Sequence, residues 1–207
     1  MTRTFLLLLC LSVLAPIADA AATQRILVVG DSLSAGYGLE RGDGWVALLR
    51  QRLARRDVDA EVVNASVSGD TTRGGLARLP AALDQHNPDV VIIELGGNDG
   101  LRGVPLSETG NNLSRMVGLA RERNARVLLV GVRLPPNYGA AFVARFQEMF
   151  HSVAREHDIP LVPKLLAGVA EDPGLMQADG IHPNAAAQPK LLENVWGELA
   201  AMVGAKD

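Results

Sequence analysis

The sequence predicts an α/β fold: a parallel sheet in one domain, covered by helices on both faces. Three observations carry that expectation. Short continuous apolar runs recur along the chain, as strands buried on both faces require. Amphipathic stripes at helical spacing lie between them, each about one helix face wide. Small and polar residues cluster directly after the runs, where ligands bind in open parallel sheets. Strands alternating with helices imply right-handed crossovers and hence parallel pairing.

Each element can be justified in order. Ile26-Leu27-Val28-Val29 is a continuous apolar run that stops at Gly30. Trp45, Leu48, Leu49 and Leu53 then recur at i, i+3, i+4 and i+8. Val62 and Val63 mark a second strand, and Val90-Val91-Ile92-Ile93 with Leu95 a third. Leu113, Met116, Val117 and Ala120 form the next helical stripe, and Val127 to Val132 the fourth strand. Phe142, Phe146, Met149, Phe150 and Val153 make another stripe, followed by a weaker fifth strand at Ile159-Pro160-Leu161-Val162. Leu192, Val195, Trp196, Leu199 and Val203 give a C-terminal helix. Aromatics are only 4 % of 207 residues, so the core is built from Val, Leu, Ile and Ala.

The first segment reads as a secretory signal rather than as part of the fold. Arg3 supplies a positive start, Phe5 to Val13 an apolar run, and Ala18-Asp19-Ala20 a small-x-small cleavage site. Residues 1–20 are expected to be removed, leaving 21–207 as a single domain. The apolar run is too short to span a bilayer, and no other stretch is longer. Cys10, the one cysteine, lies in this run. The mature chain would then have no disulfide, Cys nucleophile or thiolate metal site. Export without disulfides fits a bacterial periplasm or the medium. A net charge of −3 with interspersed signs excludes a nucleic-acid footprint. The expected state is a monomer with no stable membrane anchor, and lipid contact is at most transient.

The loops after the strands hold the chemistry. Gly30-Asp31-Ser32-Leu33-Ser34 follows the first, Asn64 to Asp70 the second, and Gly96-Gly97-Asn98-Asp99 the third. Asp179-Gly180-Ile181-His182-Pro183-Asn184 comes late in the chain. A hydrolytic serine needs a base, a group that orients the base, and donors for the developing oxyanion. Ser32 can project from a strand-to-helix turn, His182 can be its base, and Asp179 can hold the imidazole from the same loop. The N–H groups of Ser32 and Gly69 and the side-chain amide of Asn98 can make a three-donor oxyanion hole. Asp31 is read as supporting the turn and Asp99 as fixing the loop after Asn98. Ser34, Ser66 and Ser68 are read as turn hydrogen-bonders, and His86, His151 and His157 as surface residues.

These blocks resemble the SGNH, or GDSL, hydrolase family, named for its Ser, Gly, Asn and His, here Ser32, Gly69, Asn98 and His182. GDSLSAG (30–36), VNASVSGD (63–70), GLARLP (75–80), ELGGNDGLRG (94–103), RLPPNYG (133–139) and DGIHPN (179–184) are similar to its periplasmic acyl-CoA thioesterase I / lysophospholipase L1 / arylesterase subfamily. The resemblance runs through essentially the whole mature chain. It implies a three-layer α/β/α sandwich with a five-stranded, flavodoxin-like parallel sheet. It also implies hydrolysis of fatty acyl thioesters, aryl esters and lysophospholipids without metal or cofactor. A mobile loop lining the acyl groove is implied at Gly100-Leu101-Arg102-Gly103-Val104-Pro105, with its glycines as hinges, and Leu134 and Pro135 are implied to border the acyl chain.

Rival readings fail on pattern. Ser34 stands where Gly-x-Ser-x-Gly needs its last glycine, and acid and base share one loop, unlike a classical α/β-hydrolase. No Gly-x-Gly-x-x-Gly or Gly-Lys-Ser/Thr follows the first strand. A metal hydrolase needs more converging ligands than these loops carry. Two alternatives remain: a carbohydrate O-deacetylase on the same fold, and a non-catalytic lipid-binding module.

Overall fold

A computed structural model describes residues 23–205. The expected signal segment, including Cys10, lies outside the described residues. Five parallel strands form one sheet in the order β2-β1-β3-β4-β5: β1 (Gln24–Gly30), β2 (Ala60–Asn64), β3 (Val90–Glu94), β4 (Arg126–Val130) and β5 (Leu161–Val162). The helices are α1 (Ser32–Ala35), α2 (Trp45–Arg55), α3 (Thr72–His86), α4 (Gly97–Leu101), α5 (Leu106–Glu122), α6 (Ala140–His157) and α7 (Gln188–Met202).

The apolar runs occupy the middle of the sheet because it is covered on both sides. Ile26 to Val29 of β1 and Val90 to Ile93 of β3 are wholly buried. α2 packs beside α7, while α3, α5 and α6 line up side by side. The grouping follows from handedness. The step from β1 to β2 runs one way across the sheet, and every later step runs the other. Right-handed crossovers therefore put α2 on one face and α3, α5 and α6 on the opposite one. The reversal makes a crevice at the carboxyl ends of β1 and β3.

The sequence reading leaves α3 unmarked: Leu76, Leu79 and Leu83 keep helical spacing, but Gly74, Gly75 and Pro80 beside them read as helix breakers. The structure shows why glycine stands inside this helix. A Cβ on Gly75 would overlap the Leu95 side chain, so its absence lets α3 lie close on the sheet. The fifth strand shrinks to Leu161–Val162 at the sheet edge.

Candidate active site

Ser32 is the first residue of α1, directly beyond β1. Asp31 caps this short helix: its Oδ1 accepts from the Leu33 N–H at 3.0 Å. Gly36, at φ 78°, closes it by donating its N–H to the Ser32 carbonyl at 3.2 Å. An αL residue at that point lets the chain turn away after a single turn. The half-buried Ser32 hydroxyl is thereby held at the lip of the sheet.

His182 arrives on the loop before α7. Its Nε2 lies 2.8 Å from Ser32 Oγ, and its Nδ1 lies 2.7 Å from Asp179 Oδ2. Asp179 Oδ1 accepts from the N–H groups of Ile181 and His182, at 2.9 and 3.0 Å. These two donors fix the carboxylate plane, leaving Oδ2 for the ring. The His182 backbone hydrogen bond, then the His182 side chain and the Ile181 N–H, hold the Asp179 carboxyl down at about 2. It stays an anion throughout the neutral range.

The loop is pinned from behind. Gln177 donates its N–H to the His182 carbonyl at 2.7 Å. Its Nε2 reaches the carbonyls of Tyr37 and Pro183, at 2.8 and 3.0 Å. The Tyr37 ring lies 4.6 Å from the imidazole, tilted by 41°. Sequence reasoning did not single out Gln177 or Tyr37, since neither belongs to a motif block with a chemical requirement of its own.

Asn98 lies in α4 and donates Nδ2–H to Asp31 Oδ2 at 3.0 Å, which leaves its second amide hydrogen available. Gly69 has φ +79°, and its carbonyl accepts from Arg102 Nη2 at 3.0 Å. Among the described residues, neither the Ser32 nor the Gly69 N–H has a backbone acceptor. Asp99 is buried and binds the Thr72 N–H and hydroxyl at 2.8 and 2.5 Å, tying the Asn98 segment to the start of α3. Ser34 is more than a turn residue: it is buried and donates to Glu94 Oε2 at 2.7 Å. His157 contacts the Ser114 hydroxyl.

A cavity of about 610 Å³ opens beside Ser32, Asn98 and His182. Of the residues expected to bind substrate, Leu101, Leu134 and Pro135 line it. Gly100, Arg102, Gly103, Val104 and Pro105 do not line this cavity. Gly100 sits buried inside α4, Arg102 turns toward Gly69, and the Val104 N–H bonds back to the Asp99 carbonyl at 3.0 Å. The remaining wall comes from Val132, Leu166, Ala167, Ala170, Met176 and Ile181, with Arg133, Lys164 and Glu171 adding charge. The segment after β5 carries no motif. Its place beyond a strand's carboxyl end was the available signal.

Gly100 is closely packed in this structure. A Cβ there would sit 2.7 Å from Leu134 Cδ2 and 2.9 Å from Phe146 Cε2, and both side chains are locked in the core. Gly100→Ala is therefore expected to lower stability by about 1–3 kcal/mol through overpacking. A urea midpoint shifted down at unchanged slope would show it, whereas an unshifted midpoint would favour the hinge reading.

Among the described residues, no group of three or more His, Cys, Asp or Glu side chains is placed to hold a metal ion. None of the described helices is long and apolar enough to cross a membrane.

Comparison with known proteins adds to the geometry. Residues 28–188 match the GDSL-like Lipase/Acylhydrolase family. The chain is 52 % identical over 201 residues to Esterase TesA of Pseudomonas aeruginosa, covering 97 % of this chain and 100 % of that one. It is 43 % identical to an arylesterase of Vibrio mimicus, covering 95 % and 96 % of the two chains. It is 44 % identical to thioesterase 1/protease 1/lysophospholipase L1 of Escherichia coli, covering 89 % and 87 %. The crystal structure of TesA superposes with a TM-score of 0.85 at 54 % identity, covering 86 % of this chain and 99 % of that chain.

Proposed function

The chain belongs to the GDSL-like lipase/acylhydrolase family, and from that premise we propose that it hydrolyses acyl esters and thioesters through an acyl-enzyme on Ser32. It is a serine esterase, and its relatives named arylesterase and thioesterase/lysophospholipase mark the substrate range. The observation that carries the reading is the continuous chain from Ser32 Oγ to His182 Nε2 and from His182 Nδ1 to Asp179, at 2.8 and 2.7 Å.

The mechanism follows from that chain. His182 Nε2 takes the hydroxyl proton as Ser32 Oγ bonds to the acyl carbon. The carbonyl electrons move onto oxygen, where the Ser32 N–H, the Gly69 N–H and the free amide hydrogen of Asn98 stabilise them. The intermediate collapses, the C–O or C–S bond breaks, and His182 returns the proton to the leaving alcohol or thiol. Water then attacks the acyl-enzyme with His182 again as base, releasing the acid and Ser32. Asp179 stays ionised and holds the proton of Nδ1.

The acyl chain is assigned to the cavity beside Ser32, whose walls are mostly apolar. This supports medium and long acyl groups over acetate. The N-terminal segment supports export to the periplasm or the medium, with residues 21–207 acting as a monomer. A fluorophosphonate probe tests the central claim. It should label Ser32 and no other residue, and an unlabelled protein would leave a binding module. Rates on p-nitrophenyl acetate, p-nitrophenyl octanoate and palmitoyl-CoA test the acyl assignment. A strong acetate preference without thioesterase activity would point to a deacetylase.

Asn98→Ala should lower kcat by about 10²–10³, roughly 3–4 kcal/mol, because one preorganised donor is lost. Steady-state rates at saturating aryl ester would show it. Full activity would mean that the oxyanion is held elsewhere.

A further inference from the structure

Behind Ser32 lies a pair of buried carboxyls that the reaction as derived does not use. Asp31 is 2 % exposed and Glu94 is 0 % exposed. They are neighbours because Gly30 of β1 pairs in register with Glu94 of β3, and Glu94 Oε2 lies 3.4 Å from the Asp31 nitrogen. Gly30 permits the approach: a Cβ there would fall 2.8 Å from Glu94 Oε2 and 2.7 Å from Ser34 Cβ.

We propose that Asp31 and Glu94 act as one buried dicarboxylate in which Glu94 carries the proton and Asp31 the charge, and that this fixed charge aims the Asn98 amide. The proposal rests on the reading of Asn98 as an oxyanion donor, and Asp31 is the positioning residue within it.

The hydrogen bonds decide where the charge goes. Each Asp31 oxygen accepts from an N–H: Oδ1 from Leu33 and Oδ2 from Asn98, both at 3.0 Å. Glu94 receives its donors on one side: the Ser34 hydroxyl at 2.7 Å and the long contact to the Asp31 N–H, both on Oε2, with the Ser34 N–H also favouring its anion. Its Oε1 is buried without a partner. Anionic charge is stabilised where donors satisfy both oxygens, as on Asp31 and not on Glu94, and a dry site disfavours two adjacent anions. Ser34 can accept from a Glu94 O–H as readily as it can donate.

The surrounding charges agree. His182 from the last loop favours the Asp31 anion, and Asp70, before α3, opposes it. The Arg78 guanidinium of α3 is occupied by Asp70 and by the carbonyls of Ala65 and Gly30. Burial pushes Asp31 up to about 6, against the Leu33 and Asn98 hydrogen bonds. Burial, and then the Asp31 charge, push Glu94 well above the usual carboxylate range. The Asp31 charge thus favours a proton on Glu94.

The consequence for catalysis is an orientation. An anion only accepts, so Asp31 forces Asn98 to face it with Nδ2 and to leave the other amide hydrogen for the oxyanion. A neutral group at position 31 can also donate. It then tolerates the flipped amide, which turns the Asn98 oxygen toward the developing negative charge.

Variants and a spectrum test this. Asp31→Asn should lower kcat by about 10², approaching the loss from removing the Asn98 donor, with little change in KM. In an Asn98→Ala background it should matter less than about threefold, because the two act as one unit. An equal loss in both backgrounds would overturn the link to Asn98. Glu94→Gln, a neutral isostere, should keep kcat within about threefold of the wild type at neutral pH. Its Tm relative to the wild type should rise as pH increases above the ordinary carboxylate range. The sign follows from linkage. The native state binds the Glu94 proton more tightly than the unfolded chain does, so wild-type stability falls as pH rises above that range, and the variant lacks this loss. A pH-independent Tm difference would overturn the assignment of the proton. In the wild type itself, infrared spectra at pH 7 should show a protonated carboxyl C=O stretch, and its absence would also overturn that assignment. A failure of the Ser32 mechanism would appear instead as activity retained by Ser32→Ala, with the Tm difference unchanged.

Discussion

Ser32→Ala is expected to lower kcat on an aryl ester by about 10⁶, with the thermal midpoint almost unmoved. The size follows from cooperation among the three groups. Where nucleophile and base act as a unit, removing the nucleophile alone costs nearly as much as removing the whole set. His182 would still sit against Asp179, and the amide donors would still polarise the carbonyl, so a residual rate above that of water remains. Stability barely changes because Ser32 Oγ contributes one hydrogen bond, to His182, at the mouth of a cavity. Saturating kinetics beside a melting curve on the same preparation would check both halves. A variant retaining activity within tenfold of the wild type would remove Ser32 from the mechanism.

Asp179→Asn is expected to lower kcat by about 10⁴, and the structure supplies the reason in detail. The Ile181 and His182 N–H groups both donate to Asp179 Oδ1. In the variant they keep the amide oxygen in that place and drive the amide nitrogen to the site of Oδ2. There it faces His182 Nδ1 at the distance of a hydrogen bond and donates where a carboxylate accepted. The ring is pushed into the tautomer that carries its proton on Nε2, which can no longer take the Ser32 proton. Wrong-tautomer substitutions of this kind cost about four orders of magnitude. The pH profile gives a second readout. Since Asp179 is held down at about 2, its own titration should leave no mark on kcat above about pH 4. The variant would be checked by kcat together with the imidazole nitrogen shifts in NMR. Retained activity with an unchanged tautomer would break the argument.

How far the sequence could be read differs from element to element. β1 and β3 were plain because strands buried on both faces must be continuously apolar. α3 was passed over because Gly74, Gly75 and Pro80 read as breakers, whereas the structure uses Gly75 for close contact with Leu95. Gly100 was read as a hinge of the loop that the resemblance implied, and its close packing against Leu134 and Phe146 in α4 could be seen only in the structure. Ser32, Gly69 and Asn98 stood out in short blocks after strand ends, and Asp179 and His182 as an acid–base pair in one late loop. Lys164 to Glu171 did not, since a cavity wall made of ordinary apolar and charged side chains has no local signature. Buried Glu94 stood at the end of an apolar strand with nothing nearby in the chain to explain it.

The order of residues by itself determined the class of fold, the strand ends that carry chemistry, and the loop that brings Asp179 to His182. These depend on periodicity and on contacts three residues apart. Only the tertiary structure decided which residues wall the cavity, why Gly100 must lack a side chain, and how Glu94 comes to lie against the Asp31 backbone. Those two lie 63 positions apart in the chain. Parallel pairing brings them together through a crossover, and the register of such a pairing is set by the packing of whole helices against the sheet.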